Sequence, residues 1–420
     1  MKYKVWKVGV VVLALTASPA MAQENAGDLT YDVHIQNVGC DDDSCCGDRV
    51  DCGDACCDPG RGGVLGAIEG FSLASLLGME DSGIDIGGWS QWGYHDDNDG
   101  VFNTNPNNFQ LQQQWFYLGK EADGSKGFDV GGRIDMLYGT DASNTQSFGN
   151  PPGTWDYQNG WDHGSYGWAL PQLYGEVAMG DLSVKVGHFF TLLGYQVVPA
   201  TGNFFYSIPY TFNFSEAFTH TGVLSTYKLN DKVKLYNGWT LGWDSGFDQV
   251  GSGSSYLGGI SIDLADSVNL TYISTFGNLG WIGNRGYTHS IVGQVGLTDN
   301  ISYVFQSDLV SVDNSPNSGG GHYDTFGINQ YLFYTFSDRV KGGARMEWWK
   351  ADGVSLYEMA YGLNINLLKN VLIRPEIRYN WVPSNTLPQV LPVASNTGNS
   401  TSFGDYNNQT IFGVDAILTF

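Results

Sequence analysis

Long apolar runs are almost missing from this sequence of 420 residues. Residues 8–15 form one such run, which is too short to cross a bilayer as a helix. Lys2, Lys4 and Lys7 precede the run, and Ala20-Met21-Ala22 follows it. This order of basic, apolar and small residues predicts a secretory signal peptide over residues 1–22, and no transmembrane helix is expected in the mature chain.

Charged residues are also scarce, and basic ones are the scarcer kind. Asp, Glu, Lys and Arg make up 15% of the chain, with 20 basic residues against 43 acidic ones. A chain with a net charge of −23 repels phosphate, so nucleic acid is excluded as a partner. In contrast, aromatic residues reach 14% and glycine numbers 57, which favours a β protein with two kinds of surface.

Cysteine does not occur after residue 57. All six lie in an acidic segment, residues 23–66, as Cys40, Cys45, Cys46, Cys52, Cys56 and Cys57. In an exported chain an even number of cysteines favours disulfides, although a metal site of thiolates and carboxylates or an unpaired tail are alternatives. The paired C-x2-C spacing of common zinc sites is lacking. We expect a periplasmic appendage, followed by a short helical lead-in over 67–83.

From residue 84 to residue 420, apolar and polar residues alternate with a period of two, as in strands with one apolar face. Each candidate is about as long as a tilted strand that crosses a bilayer. We predict sixteen strands, with fourteen or eighteen as alternatives, near 84–94, 109–119, 127–138, 168–179, 182–190, 218–229, 233–244, 255–264, 268–277, 286–297, 300–311, 323–336, 340–350, 355–366, 371–381 and 410–420.

The connections between these strands alternate between two lengths. Short turns rich in Asn and Asp, such as 180–181 and 265–267, alternate with long loops, such as 139–167 and 382–409. Only 351–353 breaks this rule. The layout is typical of an all-β, antiparallel transmembrane β-barrel with short periplasmic turns and long extracellular loops. Closure of the barrel would pair every backbone amide and carbonyl of the strands.

The predicted strands place charged residues on one face and apolar residues on the other. In 233–244, for example, Lys234 lies opposite a face that contains Trp239, Leu241 and Trp243. A charged side chain that faces lipid destabilises the barrel, so we expect the charged face to line a water-filled lumen. The candidate pore-lining residues are Arg133, Asp135, Lys185, Lys234, Lys341, Arg345, Glu347, Glu358, Arg374, Glu376 and Arg378.

The third long loop, 191–217, is apolar and aromatic, unlike the acidic loops around it. Such a loop is expected to be buried rather than free in water. Our hypothesis is that it folds into the barrel and narrows the lumen through Tyr195, Asn203, Phe204, Phe205, Tyr206 and Tyr210. The alternative is that it packs over the rim or against a neighbouring subunit.

The last strand, 410–420, ends on Phe420 and carries an apolar face with Phe412 and Leu418. This ending resembles the signal of bacterial outer-membrane barrels, which implies recognition by the barrel-assembly machinery. An ordinary closing strand of a soluble β domain is the alternative for this segment taken alone.

The segment 187–224 gives a more specific resemblance. Gly187-His188-Phe189-Phe190, Asn203-Phe204-Phe205-Tyr206-Ser207 and Phe218-Thr219-His220-Thr221-Gly222 resemble the family described as "Putative beta-barrel porin-2, OmpL-like". The resemblance extends over about 65–420. It implies an outer-membrane pore for passive diffusion of small polar solutes or ions, surrounded by lipid. It supplies no catalytic residues, and the cysteine-rich segment lies outside it. Resemblance to general porins implies a homotrimer as its assembly.

Two other functions compete with a pore. A closed barrel could be structural or adhesive, with the cysteine-rich segment as a tether. An outer-membrane lipid hydrolase could use His188, His220 or His289 with Ser225, Ser290 or Ser307, but no nucleophile motif accompanies them. No phosphate loop, metal-binding helix motif or dinucleotide fingerprint occurs in the sequence, so we predict no enzyme and no cofactor.

Overall fold

The computed structural model describes residues 69–80, 82–315, 321–351, 353–383 and 408–420. The predicted signal peptide and all six cysteines lie outside these residues. Helix α1, Leu73–Leu77, lies within the predicted lead-in; it begins where the Ser72 side chain accepts the Ser75 N–H and ends at Gly78, with φ 65°. Across the described ranges, no helix combines the length and apolar character that crossing a membrane requires.

Sixteen antiparallel strands form a closed barrel, which confirms the predicted fold class. Each strand pairs with its neighbours in the chain, and β1 closes the barrel on β16, from Trp89 opposite Thr419 to His95 opposite Gly413. The strands are β1 Asp85–His95, β2 Gln110–Lys120, β3 Asp129–Gly139, β4 Gly167–Met179, β5 Leu182–Phe190, β6 Thr219–Asn230, β7 Val233–Thr240, β8 Ser254–Ala265, β9 Val268–Asn278, β10 Arg285–Thr298, β11 Ile301–Ser315, β12 Gly321–Ser337, β13 Val340–Ala351, β14 Val354–Leu368, β15 Val371–Trp381 and β16 Gln409–Thr419.

Alternation along the strands separates an apolar exterior from a polar interior. In β15, Arg374, Glu376 and Arg378 are buried, whereas Ile377 and Tyr379 are exposed on the outer face. Two-residue spacing places successive side chains on opposite sides of a strand, so the sequence pattern fixes which residues face inward.

The connections differ in length at the two ends of the barrel. At one end of the barrel, the strands are joined by tight turns, such as residues 180–181, 231–232 and 266–267. At the opposite end the connections include 140–166, which contains helix α2, Ala142–Thr145, and 191–218, which contains helix α3, Tyr210–Ser215. Most of the connection between β15 and β16 lies outside the described residues.

The predicted orientation of Trp243 on the outer face is wrong. Strand β7 ends at Thr240, and the backbone then turns through Gly242, with φ 107°, and Asp244, with φ 48°. These conformations cannot continue a strand. The Trp243 side chain therefore lies inside, 1% exposed, and its indole N–H donates to the Thr275 hydroxyl at 3.2 Å.

Candidate functional site

Residues 191–217, in the connection between β5 and β6, fold into the barrel; we call them the inner loop. It leaves and returns at one point, where the Thr191 N–H donates to the Phe218 carbonyl at 3.0 Å. Gly194 turns it inward with φ 83°, at a position where a Cβ would collide with the Glu216 carboxylate. Every residue of the inner loop is buried except Tyr195, Thr201, Gly202 and Phe204.

Six of the predicted pore-lining residues form one surface on β13, β14 and β15 against which the inner loop lies. We call this surface the charged wall: Arg345, Glu347, Glu358, Arg374, Glu376 and Arg378, all buried. In the barrel interior, ionisable side chains at this degree of burial need bonded partners.

The arginines of the charged wall donate to backbone carbonyls of the inner loop. Arg345 Nη1 donates to the Ser207 carbonyl at 2.8 Å, and Arg378 Nη1 donates to the Ile208 carbonyl at 2.7 Å. Arg374 Nη1 reaches three carbonyls, those of Ala200 at 2.9 Å, Asn203 at 2.5 Å and Phe205 at 3.4 Å.

Two glutamates of the charged wall, Glu347 and Glu376, accept backbone amides of the same loop. Glu347 accepts the N–H of Tyr210 at 2.7 Å and of Thr211 at 2.6 Å, at the start of α3. Glu376 accepts the N–H of Tyr206 at 2.7 Å, and the hydroxyl of Ser207 also donates to it. The arginines and glutamates thus bind carbonyls and amides, respectively, of one segment, residues 200–211.

Each arginine of the charged wall also has an acidic partner. Arg345 pairs with Glu358 at 3.0 Å, and Arg374 pairs with Asp415 at 2.5 Å. Arg378 lies 3.8 Å from Asp99, in the first extracellular loop. The sequence analysis did not include Asp415 or Asp99 among the candidate site residues. Alternation along β16 places Asp415 on the inward face, so Asp415 could have been included. No alternation pattern covers the loop that contains Asp99, so its position inside the barrel could not be predicted.

The other side of the inner loop packs on apolar and aromatic residues of the barrel. Leu192 and Leu193 join the cluster that contains Leu224, Leu257 and Ile273. Further along, Tyr195 lies 4.9 Å from Tyr331 and Phe204 lies 4.8 Å from Phe333, measured between ring centroids. Phe205 belongs to the same aromatic group and is fully buried. The loop is therefore held on both sides.

The remaining predicted pore-lining residues lie on the same inward face but away from the inner loop. Arg133 pairs with the buried Asp135 at 2.6 Å on β3. Lys185, Lys234 and Lys341 are partly or fully exposed and lie near the ends of strands that start at the short-turn end of the barrel. The structure thus separates the eleven residues into a buried group and a more exposed group. A pore-lining role for them stays a prediction.

Aromatic residues of the first two extracellular loops cover the inner loop from outside. The ring centroid of Phe102 lies 6.1 Å from that of Phe212 and 5.5 Å from that of Phe218. Phe148 makes an edge contact with Phe218 at 5.8 Å. Rings from two extracellular loops thus pack against the end of the inner loop and the start of β6.

Asp244 is a buried carboxyl beside the end of the inner loop. It accepts the N–H of Phe218 at 2.7 Å, and burial raises the pKa of the Asp244 carboxyl to about 7. Because the pKa in the packed arrangement is higher than the ordinary value near 4, protonated Asp244 stabilises this arrangement. The stabilisation is complete below pH 4 and is lost as the pH rises through about 7. In the pore that the sequence predicts, we expect openings to become severalfold more frequent from pH 5 to pH 8.

The matched variant for this prediction is Asp244→Asn, which keeps a side-chain oxygen as acceptor and cannot ionise. Single-channel recordings of the variant should show a weaker pH dependence than the wild type. Identical pH profiles for the two proteins would show that Asp244 does not control the packing.

The histidines considered for hydrolysis have other partners. His188 shares a hydrogen bond with the Thr221 hydroxyl at 2.8 Å, His220 with the Thr191 hydroxyl at 3.1 Å, and His289 with the Tyr287 hydroxyl at 3.1 Å. Over the described part of the chain, none of them hydrogen-bonds Ser225, Ser290 or Ser307. Within the same ranges, no group of three or more His, Cys, Asp or Glu residues is placed to hold a metal ion.

A closed barrel of sixteen strands with an apolar exterior, a charged interior and one loop folded inside defines an outer-membrane porin. The family model described as "Putative beta-barrel porin-2, OmpL-like" matches residues 83–420, and the chain belongs to this family. It is therefore a channel protein of the outer membrane. A search of curated protein sequences finds no match.

Solved porin structures share the fold at low sequence identity. The anion-selective porin from Comamonas acidovorans has a TM-score of 0.55 and 10% identity, covering 80% of this chain and 99% of that one. The outer membrane channel DcaP of Acinetobacter baumannii has a TM-score of 0.51 and 10% identity, covering 80% and 97%. OmpT of Vibrio cholerae, in a trimer form, has a TM-score of 0.50 and 11% identity, covering 80% and 99%.

Proposed function

We propose that this porin admits small polar solutes or ions by passive diffusion and that the inner loop is its constriction. The observation that carries the proposal is the attachment of the loop backbone to the charged wall by arginines and glutamates on β13 and β15. Such an attachment holds a barrier at a fixed place in the lumen, which sets the size of what passes.

The passage that remains is bordered by the exposed part of the inner loop. Tyr195, Thr201, Gly202 and Phe204 are its residues that reach solvent. Lys185, Lys234 and Lys341 add positive charge to the inward face on the side of the short turns. Solutes would therefore meet lysines in the wide part and aromatic rings in the narrow part.

No catalytic step is part of this proposal. The buried histidines contact threonine hydroxyls and backbone carbonyls, which gives no reacting serine a base. We infer that the protein acts as a channel without catalysing a reaction.

Three further partners follow from the same proposal. Lipid surrounds the outer face. Other copies of the chain complete a homo-oligomer, as the trimer form of the Vibrio cholerae relative favours. The barrel-assembly machinery recognises β16, whose outer face includes the exposed Phe412 and whose neighbour Phe420 exchanges backbone hydrogen bonds with Gly88 at 2.9 Å. We further propose that the cysteine-rich segment lies on the periplasmic side, because the chain enters β1 at the short-turn end of the barrel.

Planar-bilayer recording with graded polymer exclusion tests the proposal. Purified wild-type protein should give discrete current steps, and polymers larger than the constriction should leave the conductance unchanged. The reversal potential in a salt gradient would give the charge preference in the same experiment. Absence of current steps from correctly folded protein would favour the closed, structural barrel instead.

A further inference from the structure

Three partly exposed aromatic residues lie on one side of the lumen. Phe204 of the inner loop lies 4.8 Å from Phe333 of β12, measured between ring centroids, and the two rings are inclined at 46°. Tyr195, near the start of the loop, lies 4.9 Å from Tyr331 of the same strand. Tyr331 is buried, together with Phe205, in the cluster on which the three exposed rings pack. A solute in the lumen therefore meets aromatic surface on this side.

The backbone beneath Phe204 fixes the position of its ring. A Cβ atom at Gly343 of β13 would lie 2.4 Å from the Phe204 ring, so any residue other than glycine would displace the ring. With its amide oriented to satisfy both atoms, Asn364 of β14 donates to the Phe204 carbonyl at 2.9 Å. Phe333 lies directly opposite Gly343 in the strand register. Both rings are therefore held against the wall of the barrel.

Uncharged polar side chains surround these rings. Ser302 of β11 lies directly opposite Phe333, and Thr335 follows Phe333 by two residues, on the same face of β12. Gln294 of β10 lies opposite Val304, the next inward residue of β11 after Ser302. The side chains of Ser302, Thr335 and Gln294 reach solvent, and none has a hydrogen-bond partner within the described ranges. Hydroxyl and amide groups, which both donate and accept, are therefore available to a solute on the rings.

The opposite side of the lumen, on β2 to β5, is charged instead. The Arg133 Cζ atom lies 4.4 Å from the ring centroid of Tyr117, and Lys185 Nζ lies 4.9 Å from the ring centroid of Tyr174. Arg133 also pairs with Asp135 at 2.6 Å. Cations thus lie over the rings of that side, which leaves less aromatic surface for a neutral solute. The two sides of the lumen therefore suit different solutes, and the uncharged one lies on β10 to β12.

We propose that the rings of Phe204 and Phe333, with the hydroxyl and amide groups around them, bind a neutral sugar in its pyranose form during passage. The proposal rests on the channel function proposed above and names a class of solute for its constriction. The faces of a pyranose carry weakly positive C–H groups, which fit the negative face of an aromatic ring. The edge of the same sugar carries hydroxyl groups, which hydrogen-bond to polar side chains beside the rings.

Aromatic solutes fit the same surface less well. A neutral aromatic molecule would stack on the rings, but it would displace water from Ser302, Thr335 and Gln294 without replacing the lost hydrogen bonds. An aromatic carboxylate would reach Lys341, which lies opposite Thr335 on β13, and would leave Ser302 and Gln294 in the same condition. A pyranose supplies both an apolar face and a rim of hydroxyl groups, so it uses the rings and their polar neighbours together.

Planar-bilayer recordings with glucose and mannitol test this site. Both are neutral six-carbon solutes rich in hydroxyl groups, but only glucose closes into a pyranose. Graded glucose should lower the wild-type current in potassium chloride and add noise, whereas mannitol at the same concentration should cause only the small loss due to viscosity. Phe333→Leu and Phe204→Leu should each weaken the glucose effect roughly two- to tenfold. The matched control, Tyr174→Leu, removes a ring from the charged side and should leave the glucose effect unchanged.

Equal effects of glucose and mannitol, equal effects in all three variants, or a response to phenol or benzoate without one to glucose would overturn the proposal. Saturation-transfer NMR on the detergent-solubilised barrel detects bound glucose without any current, which separates this proposal from the channel proposal. Transfer to glucose that Phe333→Leu weakens, in folded protein that gives no current, would keep the sugar site and refute the channel. Current steps with neither a glucose effect nor transfer would refute the sugar site and keep the channel.

Discussion

Replacing residues 194–215 of the inner loop with a short Gly-Ser linker is expected to raise single-channel conductance at least severalfold. The loop leaves and returns at one point, since the Thr191 N–H already bonds the Phe218 carbonyl. A linker can therefore close the hairpin between β5 and β6 without moving either strand. The interior of a sixteen-stranded barrel without an inserted loop is a water-filled channel. Planar-bilayer recording measures the change.

A substitution in another extracellular loop provides the control for this variant. Residues 160–164 include the exposed Trp161 and His163 and lie away from the charged wall. Replacing them with a linker of equal length should leave the conductance as it is in the wild type. Folding of both variants is checked by the mobility of unheated protein in gels. If the variant without the inner loop folds and has the wild-type conductance, the inner loop is not the constriction.

Changing Arg345 to Ala is expected to loosen the inner loop and to destabilise the barrel. The guanidinium pairs with Glu358 at 3.0 Å, and it also donates to the Ser207 carbonyl at 2.8 Å. Its removal leaves a buried carboxylate without its cation, an effect of roughly 3–5 kcal/mol in proteins. Thermal unfolding should therefore occur at a lower temperature, and recordings should show larger or noisier currents because the loop has lost an anchor.

Lys341→Ala is the matched control on the same strand. Lys341 lies on the same inward face of β13 but is exposed, so its loss should change neither stability nor current noise appreciably. A second variant, Arg345→Ala with Glu358→Gln, removes the stranded charge as well and should recover part of the lost stability. If Arg345→Ala behaves like Lys341→Ala, the ion pair does not hold the loop.

The barrel itself could be predicted because its pattern is local. The alternation of Arg374, Ile377 and Tyr379 on β15 decides which side of the strand faces inward, and short turns separate neighbouring strands. Long strands with a strict period of two leave little freedom in register. The apolar character of the inner loop likewise indicated burial, and its place inside the barrel agrees with the hypothesis made from its composition.

The details of the site could not be predicted, because they depend on contacts between distant parts of the chain. The sequence indicated that Arg345 and Glu347 face inward, but it did not indicate that loop backbone, rather than water, would cover them. Asp99 reaches Arg378 from another loop, at a separation that no periodic pattern encodes. The predicted orientation of Trp243 was wrong because β7 ends at two unusual backbone conformations, which the sequence pattern did not indicate.

The charged wall holds the inner loop mainly through hydrogen bonds to the peptide groups of the loop. Carbonyls of residues 200, 203, 207 and 208 and amides of residues 206, 210 and 211 carry the attachment. Any amino acid other than proline supplies both groups, so anchorage does not depend on which side chains the segment displays. Related barrels can therefore carry smaller or charged side chains in place of the aromatic rings at positions 195 and 204. Such changes would alter which solutes pass, while the inner loop stays attached to the charged wall.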